Sequence, residues 1–127
     1  MLSLAERQSA SKRIRTKYAD RIPVILQKDK ESRLPLLTQS KYLVPDTLTV
    51  AELLYVARKR IKLEPCQGLF FMAYENLDGK KVATMPETSQ TMSIIYNRCH
   101  DEDGFLYIYY TEENTFGAGT APRASVY

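Results

Sequence analysis

Cys99 and His100 stand side by side in the chain, a thiol next to an imidazole, which is the minimum a cysteine nucleophile and its base require. The adjacency argues against that use. Neighbouring residues on a helix point apart, and no third group is in evidence to orient the imidazole. His100 reads as a helix-end residue, and no catalytic residue is assigned. Cys66 follows Pro65 in a loop and reads as a plain thiol. Cys66 and Cys99 match no zinc or redox spacing, which fits a reduced, intracellular protein. Asp101-Glu102-Asp103 is the densest acidic run, but it lacks the alternating ligand spacing of a cation loop and reads as a solvated acidic turn. No metal and no cofactor is expected.

Charge is uneven along the chain. Residues 1–30 carry eight Lys or Arg against three Asp or Glu, and residues 97–127 carry two against five. A basic front end suits anionic lipid, nucleic acid or an acidic peptide. Nucleic acid is set aside because no recognisable reading module accompanies the charge. With 127 residues, 44% hydrophobic and 26% charged, the chain suits one compact domain. No apolar run approaches the length of a membrane span, and Met1-Leu2-Ser3-Leu4 is too short a core for a signal peptide. Membrane association would then come from a surface or an attached lipid.

The elements that must position these groups follow from periodicity. Residues 5–18 read as a helix with a thin apolar stripe, Ala10, Ile14 and Tyr18, laid on the domain's outside. Arg21–Leu26 reads as a strand, with Pro23 near its start or on a free edge. Residues 28–40 read as loop, and Lys41–Val44 as a short strand stopped by Pro45. Thr47 or Thr49 caps a helix whose stripe is Val50, Leu53, Leu54, Ala57 and Ile61, and Pro65 ends it. Leu69–Tyr74 reads as a strand, Asn76–Gly79 as a turn, and Lys81–Ala83 as a returning arm. Residues 89–98 read as a helix with Met92, Ile95 and Tyr96 inward. Phe105–Tyr110 is apolar on both alternations, the mark of a central strand. Beyond Asn114, Gly, Ala and Pro dominate a flexible tail. This order predicts an α+β ubiquitin-like β-grasp sheet with an additional N-terminal helix. The domains are then 1–20 (helical extension), 21–112 (β-grasp) and 113–127 (tail).

Several blocks in order carry a resemblance: Arg21–Ile25, Lys41–Pro45, Asp46–Val50, Arg58–Ile61, Asp103–Tyr107 and Glu113–Gly117. Over about residues 7–117 the chain resembles the autophagy ubiquitin-like modifiers of the GABA-receptor-associated and microtubule light-chain type. It departs from them in a shorter N-terminal arm, a longer segment from Glu75 to Met85, smaller residues at Leu53 and Ala57, and a ten-residue tail after Gly117.

The resemblance implies a non-enzymatic modifier. A cysteine protease would cut after Gly117, with Thr115 and Phe116 recognised before the cut, and release propeptide 118–127. Activating and conjugating enzymes would then join Gly117 to phosphatidylethanolamine. A residue without Cβ leaves its carbonyl open to bulky catalytic groups. Gly119 is the alternative cut site, and attachment to protein lysines the alternative conjugate. The resemblance further implies that aromatic-x-x-aliphatic peptides in cargo receptors add a strand to the edge at 41–45. The aromatic pocket would be Ile14, Pro23, Ile25, Lys41, Leu43 and Phe105. The aliphatic pocket would be Tyr42, Val44, Pro45, Leu48, Leu53, Val56 and Ala57, roomier for its smaller Leu53 and Ala57, while Leu54 and Ile61 serve the core. Arg60, with Lys41, would meet the peptide's acidic flank. The chain would be a monomer before lipidation, cytoplasmic, and on the autophagosome membrane afterwards.

Overall fold

The computed structural model describes residues 2–112. Its elements run α1 (Leu4–Lys17), β1 (Arg21–Lys28), β2 (Lys41–Pro45), α2 (Val50–Ile61), β3 (Phe70–Leu77), β4 (Lys80–Thr84), α3 (Met92–Cys99) and β5 (Leu106–Thr111). Five strands form one sheet in the order β2-β1-β5-β3-β4. The central pair β1·β5 is parallel, and β1·β2, β3·β5 and β3·β4 are antiparallel. This is the expected ubiquitin-like arrangement, with the extra helix in front.

Alternation along each strand divides the sheet into two faces. Ile22, Val24 and Leu26 of β1, Leu106, Ile108 and Tyr110 of β5, and Phe71 and Ala73 of β3 point into the core. Val50, Leu53, Ala57 and Ile61 of α2 and Met92, Ile95 and Cys99 of α3 meet them there. Tyr107 and Tyr109 of β5, on the opposite face, are half-buried.

The helix boundaries follow from capping. Thr49, rather than Thr47, opens α2 with a reciprocal box: its side chain accepts from the Glu52 N–H while its own N–H donates to Glu52. Lys62, in the left-handed region at φ 55°, closes it. Ser3 and Glu6 form the same box on α1. Thr91 caps α3, so that helix starts three residues after the expected position, residues 89–91 being spent on the turn and cap. Pro23 lies one residue ahead of the β5 ladder, which begins at Val24. The expected stripe on α1 is corrected in two places. Tyr18 is the C-cap and exposed, and the buried residue of the helix is Ser11.

Candidate functional site: the groove beside the β2 edge

β2 is an outer strand of the sheet, so one side of its backbone lacks a strand partner among the described residues. Its register against β1 pairs Pro23 with Leu43 and Ile25 with Lys41. These four therefore share the face away from the core, the face α1 crosses. Together with Ile14 from α1 and Phe105 from the turn before β5, they line one cavity of about 560 Å³. All six residues expected for the aromatic pocket border this space. Arg7, Ala10, Tyr42 and Tyr107 border it too, and sequence reasoning had not placed Arg7, Ala10 or Tyr107 there.

One wall of the cavity is α1, and a buried polar cluster holds that helix in place. Asp103 is only 1% exposed. It accepts from Arg7 Nε at 3.0 Å, from the Tyr107 hydroxyl at 2.6 Å and from the Phe105 N–H at 2.8 Å. Ser11, 4% exposed, donates its hydroxyl to the Asp103 carbonyl at 2.5 Å, and Gln8 reaches the Glu102 carbonyl. The closeness of helix and turn requires glycine at 104. Its φ is +91°, and a Cβ there would stand 2.1 Å from Ser11 Oγ. The solvated acidic turn expected at 101–103 is thus corrected: Asp101 pairs with Lys81 at 3.3 Å, and Asp103 is a buried anchor. Burial, and then the hydrogen bond to Asp103, push the Tyr107 phenol well above its usual range, which keeps it a donor.

The residues expected for the aliphatic pocket are divided. Tyr42, Leu48 and Val56 are half-buried and Pro45 is exposed. Val44 of β2 belongs to the core, and so do Leu53 and Ala57, both 1% exposed, because the α2 stripe that repeats at three and four residues faces the sheet. Leu54, expected inside, is half-buried instead, on the flank of that stripe. Over this region Arg60 places its guanidinium 5.9 Å from the Tyr42 ring centroid. The Tyr42 hydroxyl is buried with no hydrogen-bond partner among the described residues. A group in that state costs about 1–3 kcal/mol and gains by any rearrangement that pairs it.

Gly117, Thr115 and Phe116 lie outside the described residues. The last described residue, Glu112, is tied down: its carboxylate accepts from Ser32 Oγ at 2.5 Å and from the Arg33 N–H at 2.9 Å. Burial alone would raise its pKa, but these hydrogen bonds hold it below the usual carboxylate value.

Cys99 is buried beside Arg98, and desolvation pushes its thiol up to about 11, so it stays protonated at neutral pH. His100 stacks on Tyr96 with ring centroids 4.9 Å apart, its Nδ1 lying 2.8 Å from the Tyr96 carbonyl. This is a helix-end arrangement and supplies no base to the thiol. No group of three metal-ligating side chains occurs among the described residues, and none of their helices is long and apolar enough to cross a membrane.

Comparison with known proteins gives the family and the fold. The family described as autophagy protein Atg8, ubiquitin-like, matches residues 6–117. Autophagy-related protein 8B of Oryza sativa subsp. indica is 48% identical over 115 residues, covering 91% of this chain and 90% of that protein. Autophagy-related protein 8 of Mycosarcoma maydis is 46% identical, covering 91% of each. The crystal structure of Trypanosoma brucei ATG8 superposes with a TM-score of 0.75 at 37% identity, covering 91% of this chain and 93% of that one. Members of this family are ubiquitin-like modifiers or adaptors, not enzymes. A ubiquitin-like sheet behind an added helix and a match across nearly the whole chain lead to one conclusion: the protein belongs to the Atg8 family of ubiquitin-like autophagy proteins.

Proposed function

We infer that the chain is cut after Gly117, joined through that residue's carboxyl to the amine of phosphatidylethanolamine, and displayed on forming autophagosome membranes as a docking platform for cargo receptors and autophagy factors. In this reading residues 1–20 are a helical extension, 21–112 the ubiquitin-like body, and 113–127 the tail from which 118–127 are removed. Thr115 and Phe116 present the cut site to the processing protease. Activating and conjugating enzymes of the ubiquitin-like type carry the glycine to the lipid. The anchored side chain of Glu112 fixes the point where the tail leaves the body. Each buried lipid CH₂ contributes about 0.8 kcal/mol, so one acyl chain holds only marginally while a diacyl lipid holds firmly. The protein then moves between cytoplasm and membrane by making or breaking a single amide.

The observation that carries the docking half is the gathering of Ile14, Pro23, Ile25, Lys41, Leu43 and Phe105 around one cavity beside a free strand edge. An extended peptide adds to β2 through its main chain and sends its aromatic side chain into that cavity. A volume of about 560 Å³ is ample for an indole or a phenol. Three residues on, the aliphatic side chain meets Tyr42, Pro45, Leu48 and Val56. Val44, Leu53 and Ala57 lie beneath, so seating it requires those core side chains to shift. Lys41 and Arg60 receive the peptide's acidic flank. Anisotropy titration of a labelled Trp-x-x-Leu peptide with acidic residues before the Trp tests this. Leu43→Asp should weaken binding at least tenfold, and unchanged affinity would refute the assignment of the groove.

A further inference from the structure

Among the described residues the sheet has a second free edge. β4 is its other outer strand, and it pairs with β3 from Ala73↔Thr84 to Leu77↔Lys80. β5 pairs with β3 only at Phe70–Met72, so the hairpin runs on as a two-stranded ribbon. A ribbon of two strands is marginal without support. Two ion pairs supply it here, Arg98–Glu75 at 3.1 Å on the helix side and Lys81–Asp101 at 3.3 Å on the other.

The register sorts the hairpin's side chains. Glu75, Leu77, Lys80 and Val82 share the side facing α3, while Asn76, Lys81 and Ala83 share the opposite side. Leu77 is 48% exposed and Val82 40%. Ile94, also exposed, lies one turn before Arg98 on the same side of α3. Lys80 has no carboxylate within ion-pair range among the described residues. On β4 an outer backbone edge, exposed Val82 and two consecutive lysines therefore coincide, with exposed Leu77 of β3 beside them.

Lysines on an edge strand ordinarily guard against pairing, and they do so against a second copy of this chain, which would bring its own lysines to the same seam. Against a strand with carboxylates at those positions, the same lysines become attractors. We propose that β4 is a second strand-addition edge, taking an extended segment of a partner protein with acidic side chains opposite Lys80 and Lys81 and an apolar one opposite Val82. The partner strand runs antiparallel, its apolar residue packing beside Val82, one acid pairing with Lys80 and the next joining Asp101 around Lys81. This surface is separate from the β2 groove, with three strands between the two edges. Both can be occupied at once.

The probe is the blocked heptapeptide Ser-Thr-Thr-Val-Glu-Glu-Ser, titrated into the ¹⁵N-labelled full chain. The expected result is saturable shifts of the Lys80–Thr84 and Ile94 amides, slowed exchange of β4 amides, and no competition from a Trp-x-x-Leu peptide. Lys80→Glu leaves the Lys81–Asp101 pair intact. It should weaken binding about threefold or more, since a cross-strand attraction becomes a repulsion. The swapped probe Ser-Thr-Thr-Val-Glu-Lys-Ser should restore it. Absence of saturable shifts, shifts confined to residues 41–45, or an affinity blind to both charge reversals would overturn the proposal. So would β4 shifts that grow with protein concentration without probe, which would mark a second copy as the occupant. Loss of Trp-x-x-Leu binding alone would bear on the β2 groove and leave this edge standing.

Discussion

Replacing Gly104 by alanine tests how α1 is held over the groove. Two separate costs arise at that position. The residue sits at φ +91°, a conformation that costs an L-residue about 1–2 kcal/mol. The new Cβ would also lie 2.1 Å from Ser11 Oγ and 2.9 Å from Ser11 Cβ. The hydroxyl can rotate away, but Cβ is fixed to the helix backbone, so α1 must lift. Lifting breaks the Ser11 to Asp103 hydrogen bond, worth about 1 kcal/mol. The sum is about 2–3 kcal/mol, and at about 4 °C per kcal/mol the melting temperature should fall by about 8–12 °C. Because Ala10 and Ile14 form the α1 wall of the cavity, affinity for a Trp-x-x-Leu peptide should fall with it. Thermal melts and anisotropy titrations of Gly104→Ala, Ser11→Ala and the double variant give the reading. The double variant should be less destabilised than the two singles added, since the hydrogen bond is lost only once and the closer clash disappears. Strict additivity, or a Gly104→Ala melt within about 2 °C of the parent, would refute the contact between turn and helix.

Leu53→Ala should destabilise by about 2–5 kcal/mol in urea unfolding, as for a core leucine rather than a surface pocket residue. Iodoacetamide at pH 8 should label exposed Cys66 in the native protein and spare Cys99, whose buried thiol is pushed up to about 11; mass mapping reads the difference. The Thr49 backbone N–H, and then its hydroxyl, hold the Glu52 carboxyl below 4.5 in the folded protein. A carboxyl lowered by folding stabilises fully above its unfolded pKa, and that stabilisation disappears as pH falls through the folded value. The acid limb of the melting profile below about pH 4.5 should therefore be shallower in Glu52→Gln.

The fold was largely legible because its signals are local. Thr47 or Thr49 offers a cap just before the α2 stripe, Asp78-Gly79 supplies a turn, and Phe105–Tyr110 is apolar on both alternations, which marks the central strand. What was not legible depends on distant residues meeting. Asp103 reads in sequence as one of three surface acids. Only the fold brings Arg7, 96 residues away, to its carboxylate. Ser11 likewise resembles any polar helix residue until the turn at Gly104 closes over it. In the groove, the resemblance named six residues that do surround one cavity. For the second pocket it also named Leu53 and Ala57, which helical periodicity assigns to the inward stripe, and Val44, and the structure has all three in the core. The longer 75–85 segment showed in sequence as a departure from the family; that it leaves an open, lysine-bearing edge required the strand order.

In the proposed function, Gly117 becomes the attachment point of a lipid. Intact-mass analysis of the protein from cells under autophagy induction, for the natural chain and for Gly117→Ala, tests this directly. The natural chain should lose residues 118–127 and gain the mass of a phosphatidylethanolamine that a phospholipase shortens, while Gly117→Ala should do neither. Persistence of the uncut chain would contradict the account, as would a cut after Gly119 or an added mass the size of a protein.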